Sequence, residues 1–405
     1  MFEKRQWHEF DTILPAASPQ ATQQEAFIPM DIICYAHLRW NFVFQRPQHI
    51  LSRMQRHWRV FYVEEPVFDT ESPFLEQRQE LENLWVFVPH INAAADERTR
   101  MYKINHLLQE AFADHACKNC ILWYYTPMAL DWATCESPKL VVFDCMDELA
   151  AFKNAPEALR QREAALMEKA DLVFTGGISL YEARKDRHAA VHLFPSSIDK
   201  AHFGKARRTQ PDFADQQYIP HPRIGFFGVI DERLDIELLR EMAAMKPEWQ
   251  FILIGPVVKI DPAHLPQAPN IHYHGQKLYA DLPGYIAHWD VAIMPFAMNE
   301  STRFISPTKT PEYLAAGKPV VSTPILDVIR EYGAAGLVQI ASNPEAFVAA
   351  IERALEMSND KQWLAAVDAV LADKSWDLTV DRMIHLIEKK LEQQQLTTKK
   401  EDEYV

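Results

Sequence analysis

The sequence has few cysteines and no long hydrophobic run, and both features restrict the class of protein. Five cysteines among 405 residues are too few and too scattered for a disulfide framework. No apolar stretch approaches the roughly 18 to 20 residues that a membrane-spanning helix needs. The N-terminus lacks the basic, apolar and small-residue order of a signal peptide. These absences predict a protein of the reducing cytoplasm, whose only membrane contact would be peripheral, at the inner face.

The sequence has fewer positively than negatively charged side chains, and it lacks several common motifs. Lysine and arginine total 42 against 56 aspartates and glutamates, which disfavours nucleic acid as a partner because phosphate backbones bind clustered cations. There is no GxGxxG, and no P-loop, since Gly317 and Lys318 are followed by Pro319. One CxxC, from Cys117 to Cys120, leaves a zinc or redox site open, but the sequence has no second pair.

Short apolar runs alternate with helical stretches, which predicts an α/β protein with doubly wound parallel sheets. The predicted strands are 31–35, 60–63, 85–88, 121–125, 140–144, 171–174, 223–228, 249–255, 270–275, 291–295, 319–322 and 337–340, with a strand and turn at 192–203. The predicted divisions are a flexible leader at 1–29, a domain at 30–205, a linker at 206–222, a domain at 223–375, a helix at 376–396 and a loose tail at 397–405.

The most informative stretch is 290–323, which predicts a strand, a polar loop, a helix at 308–316 and a second strand. In a parallel sheet such a loop lies at the carboxyl edge, where ligands bind. Thr308 and Lys309 lie at the helix start, where free N–H groups and the helix dipole favour an anion such as a diphosphate. Glu312 lies on the same helix face one turn later. A phosphate next to sugar hydroxyls would suit this pair.

The pattern PxKxxEYLAAGKPVV resembles the donor-binding segment of bacterial GT-B glycosyltransferases related to family 4 and to teichuronic-acid and surface-polysaccharide enzymes. The resemblance implies two Rossmann-like domains that face each other across a cleft, with the last helix crossing back to the first domain. It implies that Lys309 meets the diphosphate and Glu312 the ribose of a nucleotide sugar. Retaining members carry a second glutamate eight residues earlier, where this chain has Phe304, and Glu300 is out of register.

Four further residues are predicted to bind the donor. Arg233 precedes a helix where its guanidinium could chelate diphosphate oxygens, although a surface pair with Asp231 or Asp235 would also explain it. Gly228 would let the backbone approach the ligand closely. The resemblance implies that Gly255 and Gln276 line the nucleobase pocket. The sequence has no Asp-x-Asp, so positive side chains rather than a metal are predicted to neutralise the diphosphate.

The loop after the first strand carries His37, Arg39, Arg46 and Gln48, a high density of polar groups. At the carboxyl end of a strand these are predicted to face the acceptor, with His37 as a catalytic candidate. The alternative is that the loop's aromatic residues belong to the core and its arginines to the surface. The related enzymes share its HLRW and QRPQH patterns, which favours the functional interpretation without assigning roles.

Three carboxylates, those of Asp144, Asp147 and Glu148, follow another buried strand. Crowded carboxylates can raise a pKa and so provide a general base, for which Asp147 is the first candidate and Asp144 the substitute. A helix N-terminus whose acids complement the dipole explains the cluster equally well.

These observations predict a metal-independent glycosyltransferase that uses no cofactor beyond its nucleotide-sugar substrate. The donor would be a nucleotide-diphosphate sugar, with UDP as the carrier, and the acceptor a glycan or a lipid-linked molecule of bacterial surface polysaccharide. Phe304 leaves open a non-catalytic nucleotide-sugar-binding protein of the same fold. A two-domain epimerase is a third possibility.

Overall fold

The computed structural model describes residues 30–403 except 136, 154, 209 and 359, with side chains described through residue 396. The predicted leader at 1–29 lies outside the described residues. Two sheets, parallel except for one edge strand of the first, contain the strands, and their residues fall inside the predicted domains at 30–205 and 223–375. Within the described part of the chain, no helix has the length and apolar character needed to cross a membrane.

The first sheet has eight strands in the order β3-β4-β2-β1-β5-β6-β7-β8. They are β1 Asp31–Ala36, β2 Arg59–Glu64, β3 Phe74–Leu81, β4 Leu84–His90, β5 Cys120–Tyr124, β6 Leu140–Cys145, β7 Leu172–Thr175 and β8 Val191–Leu193. Helices cover both faces of its central strands, so β1 and β5 are buried along their whole length and read as continuous apolar runs.

The predicted strands do not include β3, which is antiparallel to β4 at the edge of the first sheet. Its sequence, FLEQRQEL, is mostly polar and its residues alternate between half-buried and exposed. An edge strand needs no apolar partner on its outer side, so hydrophobic periodicity gives it little signal.

The second sheet has six parallel strands in the order β11-β10-β9-β12-β13-β14. They are β9 Arg223–Phe227, β10 Gln250–Ile254, β11 Ile271–Tyr273, β12 Val291–Met294, β13 Val320–Ser322 and β14 Val338–Ile340. Each coincides with a predicted strand to within three residues. Their buried side chains form one continuous core with helices from the same half of the chain.

Twelve helices surround the sheets in the described part of the chain. They are α1 Arg46–Met54, α2 Glu97–Asp114, α3 Ala158–Lys169, α4 Ile178–Arg184, α5 Lys200–Phe203, α6 Ile236–Met245, α7 Leu282–Ala287, α8 Lys309–Ala315, α9 Leu326–Val328, α10 Pro344–Met357, α11 Lys361–Leu371 and α12 Trp376–Glu403. Shorter helical turns are Pro127–Asp131, Leu149–Ala151, Gly204–Arg207, Pro262–His264, Tyr279–Asp281 and Ile329–Gly333.

Helix α12 crosses back from the second domain and packs on the first, as the resemblance implied. Trp376, Met383 and Ile387 are fully buried in the same core cluster as Ile50 and Leu51 of α1. The helix continues to Glu403, so the predicted end at 396 and the loose tail after it were wrong as far as the structure describes them.

The segment 206–222 joins the two domains, but it is not a free linker. Gln216 is fully buried; its amide nitrogen donates to the Tyr285 carbonyl, and its amide oxygen accepts from the indole of Trp289. Arg223 pairs with Asp212 at 2.6 Å. The polar composition that suggested a linker instead provides hydrogen bonds that fix the segment to the second domain.

Candidate active site

A cavity of about 290 Å³ lies between the two domains, at the carboxyl ends of β1, β9, β10 and β11. Its walls include all seven residues for which nucleotide binding was predicted, namely Gly228, Arg233, Gly255, Gln276, Thr308, Lys309 and Glu312. The first domain contributes the segment 40–45 to the same cavity. The structure therefore brings the predicted donor residues together in one space, which the acceptor and catalytic candidates do not line.

Two glycines allow the backbone and Lys309 to pack closely at the floor of this cavity. Gly228 and Gly255 have φ values of +144° and +149°, which other residues rarely adopt. A Cβ on Gly255 would lie 1.8 Å from the Gly228 carbonyl oxygen. A Cβ on Gly228 would lie 2.1 Å from Cε of Lys309 and 2.7 Å from its Nζ. Gly228 therefore leaves the space that the ammonium of Lys309 occupies.

Gly228→Ala is expected to displace Lys309 and to lower donor turnover on the order of 100-fold, since a shift of about 1 Å can cost that much. Donor titration and turnover assays measure the effect. Gly204→Ala is the matched control, because its added methyl group would meet nothing within 4 Å. Equal activity of the two variants would contradict the packing argument.

Arg233 lines the cavity and also contacts two other residues of the protein. Its Nε and Nη2 donate to the carboxylate of Asp231, at 2.7 Å for the closest contact, so the ion pair considered as an alternative does exist. Its guanidinium also lies over the ring of Phe152 from the first domain, 5.4 Å from the ring centre. Within the described residues its Nη1 has no hydrogen-bond partner. Asp231 therefore orients the guanidinium and leaves one edge for a ligand.

Lys309 and Glu312 share a poorly solvated environment. Burial lowers the pKa of Lys309, while the charge of Glu312 opposes that shift. Burial likewise raises the pKa of Glu312, against the charge of Lys309. Among the described residues, the Glu312 carboxylate has no hydrogen-bond or ion-pair partner. A diphosphate at Lys309 and a ribose diol at Glu312 would supply the missing partners.

The two catalytic candidates differ in electrostatic environment. Burial raises the pKa of Asp147 to about 6, while Arg233 and Arg46 oppose the shift and Asp231 adds to it. Asp147 thus lies within electrostatic reach of the donor cavity. Burial and the charge of Lys259 lower the pKa of His37 to about 4, so this imidazole is neutral near pH 7. Asp147 is the better base of the two because its pKa is closer to neutrality.

Arg46, Gln48 and Asp144 have structural roles, which corrects the prediction that they face substrate or serve as a base. Arg46 is 3% exposed and pairs with Asp144, which is 0% exposed, at 2.8 Å. Arg46 also donates to the Phe194 carbonyl at 2.7 Å. Gln48 is buried, where it caps α1 and donates to the Trp40 carbonyl. These groups are engaged in hydrogen bonds that join α1 to the first sheet through Arg46 and to the preceding loop through Gln48.

Arg39, in the loop after β1, lies at the surface and is held by Glu64 at 2.9 Å and by the Glu65 carbonyl at 2.7 Å. Its side chain is 41% exposed and does not line the cavity. An acceptor role for Arg39 stays a prediction.

Phe304, at the position of the family glutamate, packs against the core of the first domain. The guanidinium of Arg303 lies over its ring, 5.2 Å from the centre. The loop after β12 therefore carries an interdomain apolar contact at this point. In the same loop, the Ser306 carbonyl accepts a hydrogen bond from the Ser196 hydroxyl at 2.6 Å.

Some residues at the cleft were not predicted, because their position depends on contact between the domains. Tyr279, Phe44 and Trp40 line the cavity, and Phe152 and Lys259 meet across the cleft at 5.0 Å. The aromatic residues of the loop were expected to belong either to an acceptor-facing or phosphate-facing loop or to the core. No motif identifies such residues, because each becomes part of the site only when both sheets are in place.

The CxxC motif from Cys117 to Cys120 suggested that a zinc or redox site was possible. All five cysteines lie in the described part of the chain, and none of them forms a disulfide. Burial raises the pKa of the Cys117 thiol to about 12, which makes it a poor nucleophile. Among the described residues no group of three histidine, cysteine, aspartate or glutamate side chains is placed to hold a metal ion.

Comparison with known proteins agrees with this geometry. Residues 221–357 match the family model described as glycosyl transferases group 1. The chain is 26% identical over 297 residues to TuaH of Bacillus subtilis (strain 168), whose name assigns it to teichuronic acid biosynthesis as a glycosyltransferase. That match covers 68% of this chain and 74% of TuaH.

Two solved structures share the fold over most of their length. One, from Escherichia coli, is described as trehalose-6-phosphate bound with UDP-2-fluoro glucose; it is 13% identical with a TM-score of 0.61, covering 88% of this chain and 98% of that one. Sucrose-phosphate synthase from Thermosynechococcus elongatus is 16% identical with a TM-score of 0.63, covering 89% and 99%.

Two Rossmann-like domains, a cleft between them and a helix that crosses back define the GT-B fold. The chain has this fold, its residues 221–357 match the group 1 glycosyl transferases, and its sequence is similar to that of a bacterial teichuronic-acid glycosyltransferase.

Proposed function

We propose that the chain transfers a sugar from a UDP-sugar to a glycan or lipid-linked acceptor in bacterial surface-polysaccharide biosynthesis, in the cytoplasm at the inner face of the membrane. The observation that carries this proposal is the convergence of Arg233, Lys309 and Glu312 on one cavity. The relationship to TuaH supports the pathway. The related fold bound with UDP-2-fluoro glucose supports UDP as the carrier.

In the proposed reaction an acceptor hydroxyl oxygen bonds to the anomeric carbon of the donor sugar. The bond from that carbon to the diphosphate oxygen breaks, and its electron pair leaves with the nucleoside diphosphate. Asp147 accepts the hydroxyl proton. Lys309 and Arg233 stabilise the charge that develops on the leaving diphosphate without a metal ion. Closure of the two domains excludes water that would otherwise hydrolyse the donor.

A panel of UDP-, GDP-, ADP- and dTDP-sugars, offered with oligosaccharide and lipid-linked acceptors, tests the proposal. We expect a UDP-sugar to bind and a product heavier than the acceptor by one sugar residue, detected by mass spectrometry. A protein that binds none of these donors would contradict the proposed function.

A nucleotide-sugar-binding protein without transfer activity is the second candidate, and Phe304 is the observation that favours it. A retaining glutamate is replaced by a ring that packs against the first domain. Tight donor binding with no transfer to any acceptor and no donor hydrolysis would support this candidate.

A further inference from the structure

The segment 40–45 of the first domain lies against the nucleotide residues of the second. The side-chain amide of Gln276 donates to the Phe42 carbonyl oxygen. The ring of Phe44 stacks on that of Tyr279, with 4.5 Å between centroids and 24° between planes. These two contacts bring an N-terminal loop, predicted to face the acceptor, to the wall of the donor cavity.

Phe44 keeps a large part of its surface open. It is 41% exposed, although Tyr279 stacks on it and the ring of His49 packs against it nearly at right angles, with 4.7 Å between the ring centroids. Tyr279 is held in turn by His202, stacked at 4.3 Å and 9°. An aromatic ring that lines a cavity, and is held in place by other rings packed against it, offers a surface on which a planar heterocycle can stack.

The residues that line the cavity include groups suited to each part of a nucleotide. The charges of Arg233 and Glu312 both shift the pKa of Lys309, so both side chains lie near its ammonium. Glu312 is also close enough to Tyr279 to raise the pKa of its hydroxyl, after the larger effect of burial, and Tyr279 contacts Phe44. Diphosphate at the two cations and ribose at the carboxylate would therefore leave the base beside the aromatic pair.

We propose that Phe44 is a nucleobase-stacking residue, which the first domain delivers to a nucleotide site otherwise built by the second. This inference rests on the proposed function, because it requires that the cavity hold a nucleoside diphosphate. It implies that the base is bound tightly only when the two domains are close together.

Titration of wild type, Phe44→Ala and Phe44→Tyr with UDP and with inorganic diphosphate tests this inference. We expect Phe44→Ala to weaken UDP binding by about 10-fold or more, the usual effect of losing one base-aromatic stack. Diphosphate binding should be unchanged, and Phe44→Tyr should restore UDP binding. Phe68→Ala is the control, since Phe68 is 48% exposed and lies outside the cavity.

Three results would overturn the inference. One is unchanged UDP binding in Phe44→Ala. Another is equal weakening of UDP and diphosphate, which would mean that Phe44 acts through folding or domain closure. GDP and ADP are titrated in parallel with the wild type; failure to bind any nucleoside diphosphate would reject the proposed function itself, a result separate from the other two.

Discussion

Replacing Lys309 with alanine is expected to lower donor affinity and transfer rate by on the order of 10- to 1000-fold, the usual cost of removing one preorganised group that stabilises developing charge. Lys309 is half-buried above Gly228, beside Arg233 and Glu312. Water screens such a charge weakly, so its interaction with the leaving diphosphate is strong. Isothermal titration with UDP and steady-state kinetics separate the effect on binding from the effect on rate.

Lys309→Met distinguishes the charge from the packing, because methionine fills a similar volume without an ammonium. We expect this variant to stay folded, since Glu312, whose pKa burial already raises, can take up a proton once its neighbour is neutral. Lys246→Ala removes a lysine that pairs with Glu352 and does not line the cavity, and it serves as the control. Transfer by Lys309→Met at the wild-type rate would remove the main support for the proposed function.

The fold, and the position of the donor candidates at one cavity, could be predicted because each leaves a local signal. Buried parallel strands are continuous apolar runs, so the predicted strand at 121–125 differs from β5, Cys120–Tyr124, by one residue at each end. Lys309 and Glu312 lie on one short helix after a strand. The rule that ligands bind at the carboxyl edge of a parallel sheet then places them in the cleft.

Arg46, Gln48 and Asp144 could not be assigned in the same way. Arginine, glutamine and aspartate serve equally well as ligand-binding groups and as members of a buried network. The choice depends on partners that are distant in sequence: Arg46 and Asp144 are 98 residues apart, and only the assembled sheet shows their bidentate contact. The density of polar residues in the loop indicated that these side chains have specific partners. It did not indicate whether the partners are ligands or other residues of the protein.

Contacts between the domains were the least predictable part of the site. Phe152 follows the turn that carries Asp147 and meets two cations of the second domain, Arg233 at 5.4 Å and Lys259 at 5.0 Å. Lys259 has a φ of +62°, uncommon for a residue other than glycine. The loop of the candidate base is thereby tied to the guanidinium of the donor site, an arrangement that no pattern within either half of the chain indicates.

Asp147→Asn is expected to lower transfer by about 100- to 10,000-fold, the range usual for loss of a general base. Donor binding should change little, because Asp147 does not line the nucleotide cavity and asparagine keeps its shape. Transfer kinetics and UDP titration on the same preparation measure the two effects. Asp144→Asn and Glu148→Gln are poor controls because Asp144 pairs with Arg46 and Glu148 with Arg184; Glu157→Gln removes an exposed carboxylate of the same domain instead.

The pH dependence of transfer identifies the group that acts as base. A base must be deprotonated, so with the pKa of Asp147 raised to about 6 the rate should be constant above that pH and fall about tenfold per unit below it. If His37 were the base, its pKa of about 4 would place the fall in transfer rate about two pH units lower. A limb near pH 6 that disappears in Asp147→Asn would assign the role to Asp147. A limb that persists in this variant, or wild-type transfer by it, would indicate a reaction in which Asp147 takes no proton.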